Sequence, residues 1–139
     1  MRYRVYTDGA ARGNPGPAAI GIVVEDESGR TVYESSKAIG VRTNNEAEYL
    51  AFLAALQYLK ESRITEADFH LDSELVVKQI LGQYRVKEPR LQSLHGQAVM
   101  LLNAVPTRTI RHIPRARNAR ADELANEALD AEGTSPPAG

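Results

Sequence analysis

Four acidic side chains stand where local structure does not ask for them. Asp8 comes at the end of a first alternating segment, Glu48 lies inside an apolar run, Asp72 follows a second short alternating segment, and Asp122 falls one turn inside a C-terminal amphipathic stretch. Carboxylates from such separate elements could converge at one edge of a sheet, and anions gathered there repel one another unless a cation sits among them. The chain has no Cys and only His70, His95 and His112, so an oxygen donor set would select a hard ion, Mg²⁺ or Mn²⁺, over zinc. Three of the four have plainer uses. Asp8-Gly9 reads on its own as a turn, Asp72-Ser73 as a helix cap, and Asp122 as a solvated helix position. Glu48 is harder to explain away: Glu46 completes a capping box with Thr43, whereas Glu48 stands among Ala47, Tyr49, Leu50 and Ala51, where an unpaired charge is costly.

Groups able to meet a phosphate are also local. The 17 Lys plus Arg against 18 Asp plus Glu give a formal net charge of −1, which excludes gross electrostatic attraction as the basis for binding an anion. Arg108, Arg111, Arg115, Arg117 and Arg120 form the concentrated basic stretch, either a solvated face or a set of backbone-phosphate contacts. Thr43-Asn44-Asn45 places short hydroxyl and amide groups at a helix N-terminus, which favours phosphate. Gly13-Asn14-Pro15-Gly16-Pro17 is too rich in Pro for a P-loop and has no Gly-Lys-Ser/Thr after it.

The elements that must position these groups follow from periodicity. Arg2 to Thr7, Ala19 to Val24 and Thr31 to Ile39 read as an antiparallel meander, with Asp26-Glu27-Ser28-Gly29 as the second turn. Asn45 to Leu59, long and without Gly or Pro, is a buried helix. Ala67 to Leu71 is a strand leading into a helix after Asp72-Ser73, a second helix runs from about Arg90 to Leu102, and Thr107 to Ile113 is a strand stopped by Pro114. The last helix begins near Asn118, a good N-cap, with Ala121, Leu124, Ala125, Ala128 and Leu129 on one face. A chain of 139 residues suits one domain, expected over 1–131, with a small polar tail at 132–139 expected to be disordered. The absent Cys, apolar leader and long apolar run lead us to expect a cytoplasmic protein without a membrane span.

With these residues placed, the chain resembles the type 1 ribonuclease H family along roughly residues 3 to 130. Tyr6-Thr7-Asp8-Gly9-Ala10 with Gly13-Asn14-Pro15-Gly16-Pro17 is similar to the family's first motif, and Thr43-Asn44-Asn45-Glu46-Ala47-Glu48 to its second. Leu71-Asp72-Ser73 is similar to the third, and Asn118-Ala119-Arg120-Ala121-Asp122-Glu123-Leu124-Ala125 to the fourth. The resemblance implies an α/β, ribonuclease H-like fold: a five-stranded mixed sheet, three strands antiparallel and then parallel, with helices on both faces. It implies endonucleolytic hydrolysis of the RNA strand of RNA/DNA hybrids, leaving 5′-phosphate and 3′-hydroxyl ends.

Carried over by position, Asp8, Glu48, Asp72 and Asp122 become metal-binding carboxylates for two Mg²⁺ (or Mn²⁺) ions, one activating water and one stabilising the departing oxygen. Asn14, Asn44 and Asn45 match positions that face the hybrid's minor groove and its ribose hydroxyls. Thr43 matches a pocket for a DNA-strand phosphate, with Arg42 beside it. His112 matches an imidazole that moves a proton or assists product release, or else is a strand-end His. Glu74 adds an acid near the site. The chain departs from many bacterial members in having no Trp and only a short link, Gly82 to Pro89, where a basic helical protrusion would stand, so Tyr84, Arg85 and Lys87 are candidates for a reduced version of that surface. A monomer without an obligate protein partner is expected. The competing readings are an inactive hybrid-binding module of the same fold, which would gain nothing from anions facing phosphate, and an actin-like ATPase, for which the chain is too short.

Overall fold

The computed structural model describes residues 1–134. Strands β1 (Tyr3–Ala11), β2 (Gly16–Glu25) and β3 (Thr31–Arg42) form the antiparallel meander, and β4 (Glu66–Leu71) and β5 (Thr107–His112) extend it in parallel, giving the order β3-β2-β1-β4-β5. β2 is buried on both faces from Ala18 to Val24, as expected for a strand covered by helices on each side.

Helix α1 (Asn44–Glu61) starts where its sequence says it should. Thr43 Oγ1 accepts from Glu46 N at 3.1 Å, and Glu46 Oε1 accepts from Thr43 N at 2.9 Å, so two orphan amides are satisfied reciprocally. Tyr49, Phe52, Leu56 and Leu59 of α1 are fully buried, in one cluster with Val5, Ile20, Ile22, Val24 and Phe69 of the sheet. Helices α2 (Glu74–Ile80) and α3 (Pro89–Leu102) complete that layer, and the link between them, residues 81–88, contains no helix. Tyr49 Oη donates to Gln79 Oε1 at 2.5 Å, a buried tie from α1 to α2.

Helix α4 (Ala119–Thr134) covers the opposite face over a much smaller cluster, Val23, Ala121 and Leu124 with Tyr6 against them. Arg120 adds ion pairs to Glu34, Glu123 and Glu127 at its surface. Two glycines set how closely the helices approach. A Cβ on Gly9 would lie 2.2 Å from the Ala47 carbonyl of α1, and one on Gly21 would lie 2.0 Å from the Ala121 carbonyl of α4. Gly21 is the cross-strand partner of Asp8, so both close approaches fall beside that carboxylate.

The expected element order holds throughout, and the differences are at the ends. β1 runs on to Ala11, so Asp8 sits within the strand and the turn lies beyond Ala11; the turn reading of Asp8-Gly9 is therefore corrected. Gly9, Ala10 and Ala11 are poor strand formers, but their pairing with Ile20, Ala19 and Ala18 and the need for α1 to pack closely override propensity. α4 continues to Thr134, three residues into the expected tail, and the remaining tail residues 135–139 lie outside the described residues. Among the described residues no helix is long and apolar enough to cross a membrane.

Candidate active site

The parallel pairing of β1 with β4 brings two acids to one end of the sheet. Thr7 pairs with Leu71, so Asp8 and Asp72 are the next residues along neighbouring strands. This is the carboxyl end of parallel strands, where open α/β sheets place ligands. Asp72 is not the cap of α2; Ser73 is, its Oγ accepting from Val76 N at 3.3 Å, which leaves the Asp72 carboxylate for other use. Glu48 arrives from α1, one turn after the cap, because Gly9 lets the helix backbone meet β1. Its Oε1 accepts from Gly9 N at 2.5 Å.

One carboxylate oxygen from each of Asp8, Glu48 and Asp72 lies within 4.8 Å of the others. Asp8 is 5% and Glu48 6% exposed, at the base of a cleft of about 220 Å³ lined also by Gly9, Ala10, Asn44, Ser73 and Arg115. Burial pushes the Asp8 carboxyl far above the usual carboxylate range, and Glu48, Asp72 and Asp122 push it further in the same direction. Glu48 is also raised, chiefly by burial and then by Asp72, against the opposing help of Asp8, the Gly9 amide and Arg115. An all-oxygen, anionic set that cannot ionise fully by itself fits a hard divalent cation, which would remove the repulsion that raises these groups. Glu46, two residues from Glu48, shows the reverse: the Thr43 amide holds it below its usual range, and Arg90 lies at 3.8 Å.

Asp122 stands at the rim, outside the three mutually close oxygens but near enough to act on Asp8. Its Oδ1 pairs with Arg115 Nη2 at 3.2 Å and accepts from Asn126 Nδ2 at 3.3 Å. His112 ends β5, exposed and opposite Leu71, with Glu74 close enough to sense its charge; it does not line the cleft. Glu74 pairs with Lys78 at 2.6 Å, which accounts for it as a helix-surface residue.

The polar groups around the cluster sit together at the start of α1. Asn14 Oδ1 accepts from Asn44 N at 2.9 Å, tying the Pro-rich loop to the helix, and Asn45 lies half-buried in the first turn. Thr43 Oγ1 accepts from Glu46 N at the cap and retains a hydroxyl proton to donate. Arg42 donates from Nε to Ile39 O at 3.2 Å and lines a groove with Glu46 and Arg90. Tyr84 is covered by Lys78, whose Nζ is 4.9 Å from the ring centroid.

Of the basic stretch, Arg108 closes the C-terminus of α3 through Leu102 O and Val105 O, and Arg120 is taken by three glutamates. Arg115 alone of the five reaches the cleft, and the stretch as a whole gave no means of singling it out. Asn118 was legible only as an N-cap. Its Nδ2 instead donates to Thr7 O at 2.8 Å and to Asp72 Oδ2 at 3.1 Å, which no local pattern signals.

Residues 6–128 match the family described as reverse transcriptase-like. The chain is 45% identical over 129 residues to a ribonuclease HI of Halobacterium salinarum, a match that covers 93% of this chain and 65% of that protein. It spans 37% of the length of mycobacterial relatives to which it is 44% identical. Among solved structures, the RNase H1 of the halophilic archaeon Halobacterium salinarum superposes with a TM-score of 0.91 at 45% identity, over 94% of this chain and 98% of that one. LC11-RNase H1, crystallised in complex with an RNA/DNA hybrid, superposes with a TM-score of 0.89 at 46% identity, over 95% of this chain and 99% of that one.

Proposed function

This chain belongs to the type 1 ribonuclease H family, and we propose that it is a metal-dependent endonuclease that cuts the RNA strand of RNA/DNA hybrids, leaving 5′-phosphate and 3′-hydroxyl ends. The observation that carries this reading is the meeting of Asp8, Glu48 and Asp72 within 4.8 Å, with Asp8 and Glu48 both raised by burial and by the neighbouring Asp72 charge. These three, with Asp122 at the rim, are the residues that would hold two Mg²⁺ or Mn²⁺ ions. When bound, such ions activate water and stabilise the leaving 3′ oxygen.

The protein's own groups do the rest. The Gly9 amide fixes the Glu48 carboxylate, and Arg115 holds Asp122 while lending positive charge to the cleft where phosphate arrives. Asn44, on the cleft wall, and Asn14 and Asn45 beside it supply amides for ribose hydroxyls, the groups that distinguish the RNA strand. Thr43 donates its remaining hydroxyl proton to a DNA-strand phosphate, with Arg42 as the neighbouring charge. His112, exposed at the end of β5, moves a proton or eases product departure rather than contributing to the carboxylate cluster. The relative crystallised with an RNA/DNA hybrid supports the substrate class, and the lack of Cys suits a reducing cytoplasm.

The test is a gel assay on a hybrid labelled on its RNA strand, with Mg²⁺ and with a chelator. Nicks in the RNA that require Mg²⁺ are expected. A hybrid that shifts in mobility but stays intact in Mg²⁺ would favour the inactive binding module.

A further inference from the structure

Asn118 immediately precedes α4, a position where a side-chain oxygen ordinarily caps the helix amides. Here the side chain is turned inward and is 1% exposed. Its Oδ1 meets no donor of the protein among the described residues, while Nδ2 serves both Thr7 O at 2.8 Å and Asp72 Oδ2 at 3.1 Å. Both neighbours are acceptors when Asp72 is ionised, so the nitrogen must face them. The Asn118 carbonyl also accepts from Asp122 N at 3.0 Å. One residue thus touches the strand that carries Asp8, the carboxylate of Asp72 and the helical turn that carries Asp122.

We infer that Asn118 is a positioning residue for the cation site: it holds the Asp72 carboxylate toward Asp8 and Glu48 and fastens the start of α4 to β1. The inference rests on the cation-site reading above. Left to itself, Asp72 follows a strand end with two like charges beside it, and rotation away from them relieves repulsion. A hydrogen bond to one of its oxygens opposes that rotation before any ion arrives, and partners of this kind set how well ligands are presented to a metal. Without the amide, an ion must itself draw Asp72 back, and affinity falls.

The experiment is calorimetric titration of Mg²⁺ into the whole chain, with thermal midpoints measured separately in a chelator. Asn118→Ala is expected to weaken Mg²⁺ binding by about 10-fold or more. Leu129→Ala, which removes a buried side chain farther along the same helix, is expected to lower the thermal midpoint and keep the wild-type affinity. Wild-type affinity in Asn118→Ala overturns the inference, as does equal weakening in Leu129→Ala, which would make general loosening of α4 the cause. If the alanine chain does not fold, Asn118→Ser decides: its hydroxyl can serve one acceptor at most, so measurably weaker Mg²⁺ binding is expected, and unchanged binding overturns the inference. A wild-type chain that binds no Mg²⁺ overturns the cation-site reading and this inference with it, an outcome distinct from failure of the inference alone.

Discussion

The two faces of the sheet hold their carboxylates by opposite means. On the α1 face a large apolar cluster and a full capping box fix Glu48 in a buried place it would not choose as an anion, and the Asp72 charge raises it further. On the α4 face the cluster is small, and Asp122 is kept by Arg115 and Asn126 at the rim. Folding energy from packing can hold like charges together on the first face, whereas on the second the charge is already neutralised by a partner. The difference suggests a division of labour, in which the α1 face supplies the demand for a cation and the α4 face supplies an adjustable fourth carboxylate.

The largest expected effect breaks that division on the α1 face. Glu48→Gln or Asp8→Asn should lower RNA-strand cleavage by about 10³-fold or more, since several kcal/mol of metal-borne stabilisation are lost. The same variants should make the metal-free protein more stable at neutral pH, by about 1–3 kcal/mol in denaturant titrations, because an acid whose ionisation is opposed by burial and by the Asp72 charge is replaced by a neutral amide. Lower activity with unchanged or reduced stability would mean that the carboxylates are not in conflict. Next are the glycines. Gly21→Ala forces α4 outward and Gly9→Ala forces α1 outward, at costs within about 1–3 kcal/mol, visible as a lower thermal midpoint. If the faces differ as described, the adaptable α4 face should absorb its substitution with the smaller loss.

The pH dependence is a third, smaller effect. Asp8 and Glu48 have raised pKa values in the folded state, so the folded protein keeps protons that the unfolded chain releases. The stability they contribute is whole below the unfolded carboxylate range of about pH 4 and is lost as pH rises through the raised values. In a chelator, the thermal midpoint should therefore carry a downward component with pH that Mg²⁺ removes; identical pH profiles with and without Mg²⁺ would contradict it. The smallest change is at Glu46, where Gln still serves the cap. Glu46→Gln should lose about 0.5–1 kcal/mol of stability and leave cleavage within about twofold, and a large loss of cleavage would move the essential acid two residues along α1.

How much of this was legible in the sequence follows the range of the forces involved. The cap at Thr43, the exclusion of Glu46 and the isolation of Glu48 are local and could be read from a few neighbouring residues. The convergence of Asp8 with Asp72 depends on a parallel pairing between strands far apart in the chain, and the four motifs conveyed it by resemblance where periodicity could not. Asp8 lies inside β1 because α1 needs small residues beneath it, a tertiary demand that a strand-ending Gly-Ala-Ala pattern conceals. Asn118 hides its role for a related reason: its type and its position before α4 suit a cap, and only the folded geometry shows the side chain turned toward Thr7 and Asp72. Arg115 was hidden among like residues, because which arginine meets which acid is settled by the short 3-10 turn at Arg115–Arg117.

The most direct measurement of the central claim is the location of Mn²⁺ by anomalous diffraction from crystals of the whole chain grown with that ion. Strong anomalous density in contact with Asp8, Glu48 and Asp72 is the expected result. Mn²⁺ bound elsewhere, with those three carboxylates left to hydrogen-bond one another, would contradict it.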